Sequence, residues 1–435
     1  MFEKGELISE GKTKKVFKEK TRQDAVIIEN KTDITAFDNE EFTKQFGTKA
    51  EYATTTTCRV FELLQRAEIP VAYAEQISET EFVTRKCEMI PLEVVARRYA
   101  VGSYLKRHPE LDKGENNVPH RFHRLVVEFF LKTTKGKLVD WKGNTLIKDL
   151  DAKKGEEDPI ITDPYSKLWE LCHPKKPSWN PDSILNRFIL SDEVLKNPNL
   201  ILKMDEIIRR IFLTLEGAWA VMGHRIIDMK VEFGITTLGD LVVADVIDND
   251  SWRLRSQDWE ELSKESFRQG EELSKVEIKY GIVARLAEKL RVPKQVLVLW
   301  RGSDEDSLPE VPNIAGVDVV KVVISGHKAP RKSAARLKDM LAEYPEGGVI
   351  IAFVGMSNGL GPTLSARTSW LVISVPLTVD KRPHDVWSSL EMPSQVPNAT
   401  ILKGENAILA ALNVLAQKNP VAYMHRQYAI EELDM

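Results

Sequence analysis

Acidic and basic residues alternate with apolar ones in a segment that could bind a metal nucleotide. Asp228, Lys230 and Glu232 are each separated by one apolar residue, and Asp245 ends the next apolar segment, after a predicted turn at 236–240. In a strand, residues i, i+2 and i+4 share one face, so these side chains are expected to lie together. Carboxylates gathered in this way favour the binding of Mg²⁺, which usually bridges protein carboxylates to nucleotide phosphates. The alternative is a strand pair whose charged side faces solvent. Like charges placed so close together destabilise such a pair unless a cation binds.

A glycine followed by basic residues stands near the N-terminus. Gly11 precedes Lys12 and Lys14, and β-prone segments flank the three residues. Backbone N–H and ammonium groups converge on phosphates in turns of this kind. The segment lacks the GxxxxGK[ST] spacing of a Walker P-loop, so a solvated lysine-rich hairpin is the alternative.

A third segment, residues 87–107, contains two pairs of basic residues. Arg97-Arg98 precedes Gly102-Ser103, and Lys106-Arg107 follows. Arginine binds phosphates and carboxylates in a bidentate manner, so the segment could hold a phosphate or a dicarboxylate. An ordinary basic helix is the alternative.

The elements that must position these residues differ between the two parts of the chain. The front part mixes short β-rich pieces with helical stretches, which indicates an α+β domain. After a break near 292, near-continuous apolar runs of strand length alternate with helical segments, and this pattern indicates a three-layer α/β sandwich with a parallel sheet. The runs are Val296–Trp300, Val319–Ile324, Val349–Val354 and Leu371–Val375.

Short polar motifs follow three of these predicted strands, at 301–306, 325–330 and 355–362. Ligands of parallel α/β sheets bind beyond the carboxyl ends of the strands, so the motifs are expected to meet at one site. His327 is the residue there that exchanges protons near neutral pH, and Lys328 follows it. A purely structural role is the alternative for a single histidine.

Length and composition limit the class of protein. The 435 residues exceed what one hydrophobic core supports, so we expect domains at 1–265 and 294–435, joined by a linker helix at 266–293, with a surface insertion at about 133–190. A net charge of −4 gives no indication of nucleic-acid or membrane partners. The three cysteines are irregularly spaced and the N-terminus has no apolar signal, so we expect a cytoplasmic protein with free thiols.

Four motifs in order resemble the SAICAR synthetase family, over about residues 5–270. They are EGKTKKVF, CEMIPLEVVARRYAVGSYLKR, DMKVEFG and VADVIDNDSWRL. The resemblance implies an ATP-grasp-like fold that uses ATP and Mg²⁺ to join carboxyaminoimidazole ribotide (CAIR) to L-aspartate. It implies an acyl phosphate that the amine of aspartate displaces, chemistry that depends on positioning and charge neutralisation.

The same resemblance implies roles for individual residues of this sequence. Lys12 and Lys14 would hold the ATP phosphates, Glu232 and Asp245 would bind Mg²⁺ and the triphosphate, and Asp228 and Lys230 would serve the reaction nearby. The remaining residues would bind adenine (Lys86, Cys87, Met89) or the substrates (Arg97, Ser103, Asp250, Arg253, Lys264, Arg268).

The strand-end motifs resemble the animal-type aminoimidazole ribotide (AIR) carboxylase family, over about 295–420, which is fused behind SAICAR synthetase in animals. The resemblance implies a flavodoxin-like domain that carboxylates AIR with CO₂, without ATP or biotin, and forms homo-octamers through this domain. His327 would move the proton, and Lys328, Ser357 and Gly359 would bracket CO₂ and the imidazole. Ser303 and Asp306 would complete substrate binding.

This chain departs from the carboxylase pattern at two positions that affect the phosphate. Glu305 replaces a serine and Met356 replaces an arginine, while Arg367 stands where the family has asparagine. An added acid and a lost arginine weaken phosphate binding, so we expect impaired or altered carboxylation unless Arg367 compensates. The alternatives are an active ligase with a rear scaffold for oligomerisation, and a non-enzymatic nucleotide-binding protein.

Overall fold

A computed structural model describes residues 2–35, 43–112, 118–140, 143–304 and 308–433 of the chain. The chain divides into two compact units, of which the first ends at Leu290 and the second is Arg291–Leu433. Within the described residues, no helix has the length and apolar character that a membrane span requires. Glu305 and Asp306 lie outside the described residues, so their predicted roles stay predictions.

The front unit is built mainly from antiparallel strands. Its strands are β1 (Lys4–Glu10), β2 (Lys14–Glu19), β3 (Ala25–Asn30), β4 (Asp33–Thr35), β5 (Thr43–Gln45), β6 (Tyr73–Gln76), β7 (Glu81–Arg85), β8 (Cys87–Tyr99), β9 (Arg121–Leu131), β10 (Leu138–Val139), β11 (Thr145–Ile147), β12 (Ile160–Ile161), β13 (Leu168–Cys172), β14 (Ile184–Leu190), β15 (Arg225–Thr236), β16 (Leu241–Ala244) and β17 (Trp252–Arg255). Its helices are α1 (Lys49–Arg66), α2 (Gly102–Arg107), α3 (Ser191–Val194), α4 (Leu200–Val221), α5 (Glu265–Arg268) and α6 (Leu273–Ala287).

Two sheets organise this unit. The smaller sheet has the order β1-β2-β3-β7-β6, and the larger has the order β14-β13-β12-β9-β8-β15-β16, with β17 also paired to β15. Helix α4 packs on β8, β9 and β15, and α1 packs on β3 and β6. Alternation in β15 buries Met229, Val231 and Phe233, as the sequence pattern predicts.

The predicted surface insertion at 133–190 is only partly a surface excursion. Its first part forms the small β10–β11 hairpin. Its second part contributes β12, β13 and β14 to the edge of the larger sheet. The sequence pattern did not reveal β14 because Ile184, Phe188 and Leu190 are all exposed there, so the strand lacks a clearly buried face.

The segment 266–293 differs from the predicted linker helix. Gly270, with φ of +85°, lies between α5 and α6, so the segment is not one helix. Helix α6 packs against α1 within the front unit, and Tyr280 and Val276 join Phe267 in an apolar cluster there. The segment therefore belongs to the front core up to the end of α6.

The rear unit confirms the predicted parallel α/β sandwich. Strands β18, β19, β20, β21 and β22 pair in parallel in the order β19-β18-β20-β21-β22, which is the flavodoxin-like order 2-1-3-4-5. Helix α10 packs on β20 and β21. The elements are β18 (Gln295–Arg301), β19 (Val317–Val323), α7 (Pro330–Glu343), β20 (Gly348–Val354), α8 (Leu360–Ser365), β21 (Leu371–Pro376), α9 (Trp387–Leu390), β22 (Ala399–Thr400), α10 (Gly404–Leu415) and α11 (Pro420–Glu432).

Candidate active sites

The first candidate site begins at the turn between β1 and β2. The Gly11 N–H donates to the Lys14 carbonyl at 2.9 Å, which closes the turn and sets the direction of the lysines. The Lys14 ammonium then forms an ion pair with Asp245. The structure therefore does not support the alternative of a solvated lysine-rich hairpin, because the turn faces a carboxylate from another sheet.

The β15–β16 hairpin brings the two predicted metal-binding carboxylates together. Glu232 pairs in register with Ala244, so Asp245 lies directly beyond the partner of Glu232. Asp245 has φ of +68°, a left-handed conformation that aspartate and asparagine adopt more readily than most residues. This backbone turn directs its side chain to Lys14 rather than along the sheet.

These residues line one cavity of about 190 Å³. The cavity combines basic side chains with a smaller number of carboxylates, which suits a highly charged anion accompanied by a cation. Its lining residues are Lys12, Thr13, Lys14, Lys230, Val231, Glu232, Asp245, Val246, Asp250, Ser251, Lys264 and Arg268.

Burial and charge shift the titration of three groups here. Burial lowers the pKa of Lys14 to about 8, despite the opposing negative charge of Glu232. Burial would raise the pKa of Glu232, but Lys132, Lys14 and Lys230 together hold it below its ordinary value. Burial likewise opposes the charge of Lys230, yet Glu93, whose Oε2 lies 2.8 Å from the Lys230 Nζ, raises its pKa. Glu232 thus faces three cationic neighbours, and Asp245 is paired with Lys14.

One wall of the cavity is held by a buried network around Asp250. Its Oδ2 lies 3.0 Å from the Lys264 Nζ and 3.6 Å from the Lys49 Nζ, and its Oδ1 accepts from the Tyr280 hydroxyl at 2.6 Å. Lys49 and Lys264 keep the pKa of Asp250 low even though burial opposes ionisation. Lys49 is only 1% exposed, and nothing in its sequence surroundings distinguishes it. Sequence analysis therefore missed it.

Asp228 lies in a neighbouring cluster and does not line the cavity. Its Oδ2 lies 2.5 Å from the Arg97 Nη1 and 2.6 Å from the Arg253 Nη1. Arg97 also donates from Nε to Glu128 at 2.7 Å and from Nη2 to Ser103 at 3.0 Å. Arg97 is 3% exposed and uses every guanidinium nitrogen on a protein acceptor, which suits positioning better than direct contact with a substrate.

The two arginines of the Arg97-Arg98 pair serve different faces of β8. Successive residues of a strand point to opposite sides, and Arg98 is fully buried in a bidentate pair with Glu216, at 2.7 and 2.8 Å. The segment 87–107 is a long strand followed by the short helix α2, not the basic helix considered as the alternative. Arg98 thus belongs to the core.

The three residues predicted to contact adenine lie at the start of β8. Cys87 is half-buried against an apolar cluster of Ala72, Val242 and Ala244, and Ala244 is the residue before Asp245 in the sequence. Met89 is exposed. Lys86 lines a different, wider groove of about 820 Å³ that does not include Lys14. None of the three is among the described lining residues of the front cavity, and Cys87 approaches it only through its packing on Ala244, the residue before Asp245.

The second candidate site lies at the carboxyl ends of the rear strands. Ser303, His327, Ser357 and Gly359 line one cavity of about 190 Å³, as the strand-end motifs predict. The remaining lining residues are Gly302, Ser325, Gly326, Phe353, Val354, Gly355, Met356 and Leu360. Lys328 is exposed and is not a lining residue, and its N–H donates to the Ser325 Oγ at 3.2 Å.

The His327 ring packs directly on Gly359. A Cβ atom at Gly359 would lie 2.4 Å from the His327 Nε2, so only glycine leaves room for the ring. Ser357 has φ of +54°, and its N–H donates to the Asp385 Oδ1 at 2.8 Å. Buried Asn358 donates to the Ser374 Oγ and accepts from the Gly361 N–H, and these two hydrogen bonds hold the loop that contains Ser357 in place.

Two family models match the chain, one on each part. The model described as SAICAR synthetase matches residues 7–284, and the model described as AIR carboxylase matches residues 305–431. The matched ranges contain the front cavity and most of the rear cavity, respectively.

Two of the relatives extend over nearly the whole chain, and a third matches about two thirds of it. The "Probable multifunctional protein ADE2" of Caenorhabditis elegans is 32% identical over 439 residues, covering 96% of this chain and 92% of that protein. The "Bifunctional phosphoribosylaminoimidazole carboxylase/phosphoribosylaminoimidazole succinocarboxamide synthetase" of Rattus norvegicus is 32% identical over 442 residues, with the same coverage. A "Phosphoribosylaminoimidazole-succinocarboxamide synthase" of Chloroflexus aurantiacus is 35% identical over 292 residues, covering 66% of this chain and 97% of that protein.

Proposed function

Because the chain belongs to the family of bifunctional enzymes in which a SAICAR synthetase domain precedes an AIR carboxylase domain, we propose that each of its two cavities carries one of these activities. The front unit would join CAIR to L-aspartate with ATP, and the rear unit would carboxylate AIR with CO₂. The relatives of Rattus norvegicus and Mus musculus, whose names give both activities, match 96% of the chain, which favours two enzymatic units over a ligase with a mere scaffold or a non-enzymatic binding protein.

The observation that carries the front assignment is the meeting of Lys14, Glu232 and Asp245 at one cavity. They come from distant parts of the sequence and serve no apolar core, so their convergence supports a ligand that is itself charged. Lys12 and Lys14 would bind the triphosphate, while Lys264 and Arg268 on the far wall would bind the phosphate of the ribotide.

The reaction follows from placing these charges around two substrates. The carboxylate oxygen of CAIR attacks the γ-phosphorus of ATP, the bond to the bridging oxygen breaks, and ADP leaves. The amine of aspartate then attacks the acyl carbon, loses a proton, and expels inorganic phosphate. The cavity supplies positive charge at the transferred phosphoryl group, and no protein nucleophile is required.

Mg²⁺ fits the residues present. The pKa of Glu232 is lowered, and the Asp245 carboxylate is paired with Lys14. One or two carboxylates together with substrate phosphates form a usual Mg²⁺ environment. Among the described residues no group of three or more histidine, cysteine or acidic side chains could hold a metal alone, consistent with a metal that arrives with its nucleotide. Bound there, Mg²⁺ would neutralise phosphate charge.

The cluster around Asp228 is assigned to the substrates that react. Ser103 and Arg253 would orient the ribotide carboxylate and aspartate, and Arg97 would hold Asp228 and Ser103 in place. Lys230, paired with Glu93 at the cavity wall, would balance charge beside the phosphoryl group. Adenine would rest near Cys87 and Met89.

In the rear unit, His327 is proposed to accept the proton of the imidazole carbon as that carbon bonds to CO₂. The ring is held against Gly359 at the strand ends, where ligands of parallel sheets bind. Ser303 and Ser357 would hydrogen-bond the ribotide, and Lys328 would act from outside the lining. An ATP-grasp-like front fold, a cytoplasmic location and a homo-octamer assembled through the rear unit are further proposals, the last supported by exposed Trp387 and Leu390.

Assays on the purified full chain test both assignments. The front proposal requires steady-state ADP formation that depends on CAIR and aspartate together, and sustained ADP turnover in the absence of either substrate would contradict it. The rear proposal requires labelled bicarbonate to enter AIR in the absence of ATP. Rear activity that persists in His327→Asn would remove the histidine from its proposed role.

A further inference from the structure

The described residues that line the rear cavity include no lysine or arginine. Its lining residues within the described part of the chain are apolar residues, glycines, serines and His327, without lysine, arginine or carboxylate. A ribotide phosphate carries up to two negative charges, and its binding normally uses arginine or lysine as well as backbone N–H groups. A cation must therefore approach from the rim if the cavity binds a ribotide.

Three basic residues near the cavity are directed elsewhere. The Arg301 guanidinium donates to the Asp304 carbonyl at 2.9 Å and to its carboxylate at 2.8 Å. Arg367, which the sequence suggested as a compensating charge, donates from Nη1 to the carbonyl of Thr363 in the preceding helix α8 at 2.6 Å and is not among the described lining residues. Lys328 lies outside the lining.

Arg382 lies at the rim instead. Its Nη1 contacts the Sδ of Met356, a lining residue whose side chain is 57% exposed. Thioether sulfur is a weak acceptor, and Arg382 forms no ion pair with any residue in the described ranges. Its guanidinium can therefore exchange this contact for a phosphate at small cost.

The loop that carries Arg382 is fastened to the cavity. The Arg382 N–H donates to the Thr378 carbonyl at 2.7 Å, and the Arg382 carbonyl accepts from the Asp385 N–H at 3.0 Å. Asp385 in turn accepts from the Ser357 N–H at 2.8 Å, so one carboxylate joins the loop to a lining residue. The backbone at Arg382 is thereby held close to the site, which lowers the entropic cost of placing its side chain.

We propose that Arg382 binds the phosphate of the ribotide in the rear cavity and supplies the positive charge that the lining lacks. This inference rests on the proposed carboxylase function. The guanidinium binds the phosphate from the rim, beside Met356, while Ser303 and backbone N–H groups of the glycine-rich strand ends bind it from the cavity lining.

The test compares Arg382→Gln with Lys381→Gln, since Lys381 is the adjacent exposed cation and, among the described residues, the hydrogen bond to Met356 comes from Arg382. Carboxylation kinetics are measured with AIR and with the corresponding riboside, which has no phosphate. A hydrogen bond to a charged group is worth about 1.5–3 kcal/mol, which corresponds to a rise of roughly 10- to 100-fold in KM for AIR in Arg382→Gln. We expect kcat to change little, the riboside kinetics to stay unchanged, Arg382→Lys to recover part of the loss, and Lys381→Gln to match the wild type.

The outcomes separate this inference from the function on which it rests. If the wild type carboxylates AIR and Arg382→Gln has the same KM, Arg382 is not the phosphate ligand and the carboxylase assignment stands. Equal losses for ribotide and riboside would assign Arg382 a structural role and overturn the inference. If the wild type neither carboxylates nor binds AIR in calorimetry, the carboxylase proposal and the inference both fail.

Discussion

Lys14 forms an ion pair with Asp245 that joins the turn after β1 to the residue that follows β16. The pair connects the smaller sheet of the front unit to the larger one at the floor of the cavity. The charges of Lys14 and Glu232 also interact, and Asp245 directly follows the strand partner of Glu232, so a lost charge on any of the three residues changes the electrostatic balance for the others. The first two predictions follow from this relationship.

Asp245→Asn is expected to lower ATP turnover roughly 100-fold, as removal of one electrostatic contact to a transition state commonly does. Asparagine tolerates the left-handed backbone at this position, so the thermal unfolding midpoint should hardly change. Steady-state ADP release with CAIR and aspartate measures the effect. Glu88→Gln, which alters an exposed acid paired with Lys196, is the matched control and should turn over normally. Ordinary rates in Asp245→Asn would remove Asp245 from the metal site.

The pH dependence of ATP use should report Lys14. Burial lowers its pKa to about 8, so the free enzyme loses this charge above that pH, and kcat/KM for ATP should fall there. In Lys14→Arg the side chain stays charged and the fall should disappear. Lys15→Arg, on the opposite face of β2, should keep the wild-type profile. An unchanged profile in Lys14→Arg would show that another group controls ATP binding.

The same titration predicts a stability trend of defined sign. The Lys14 ammonium loses its proton near pH 8 in the folded protein and near 10.5 in the unfolded chain, so the unfolded chain binds more protons between these values. The free energy of unfolding should therefore gain a favourable contribution from this group as the pH rises from about 8 to 10.5. Denaturant titrations of wild type and Lys14→Met, compared across this range, isolate that contribution. A difference between the two proteins that does not vary with pH would contradict it.

Gly359→Ala is expected to abolish most carboxylation without affecting ligation. The new Cβ atom would lie 2.4 Å from the His327 Nε2, so the imidazole has to rotate away from the site. Gly359 has φ of −92°, which alanine adopts freely, so the effect comes from the contact rather than from the backbone. Bicarbonate incorporation and ADP release in the same preparation measure both activities. Full carboxylation by the variant would show that the ring position is not critical.

The sequence predicted those parts of both sites that depend on regular spacing. Alternation placed Lys230 and Glu232 on one face of β15. The order of apolar runs placed His327 and Ser357 at the carboxyl ends of β19 and β20, the two strands that flank β18. Both inferences need only the two-residue period of strands and the common direction of a parallel sheet. For the same reason four of the five rear strands were predicted to within two residues at each end, whereas the short edge strand β22 (Ala399–Thr400) was not predicted.

The remainder depends on contacts that no local pattern encodes. Lys49 reaches Asp250 from the start of α1, and Arg382 reaches Met356 from a loop, so neither neighbour is visible in the sequence near these residues. The Arg97-Arg98 pair was only partly understood from the sequence. Because residues 87–107 were considered a possible helix, the placement of the two side chains on opposite faces of a strand was not predicted. Tertiary contacts between distant segments decided each of these outcomes.

The last prediction concerns Gly102, where a small residue leaves space for Arg253. Gly102 has φ of +59°, and a Cβ atom there would lie 2.6 Å from the Arg253 Nη2. Gly102→Ala should therefore carry two costs, a left-handed backbone of about 1–2 kcal/mol and displacement of Arg253 from Asp228. Gly239→Ala is the matched control, because Gly239 has φ of +91° and no atom within 4 Å of the new Cβ. Both variants should lose stability in denaturant titrations, and Gly102→Ala should lose more than Gly239→Ala because it also displaces Arg253. Only Gly102→Ala should lose ligase activity, with KM for aspartate or CAIR raised more than KM for ATP. Since the control isolates the backbone cost, equal ligase activity in the two variants would mean that the Arg253–Asp228 pair does not position the substrates.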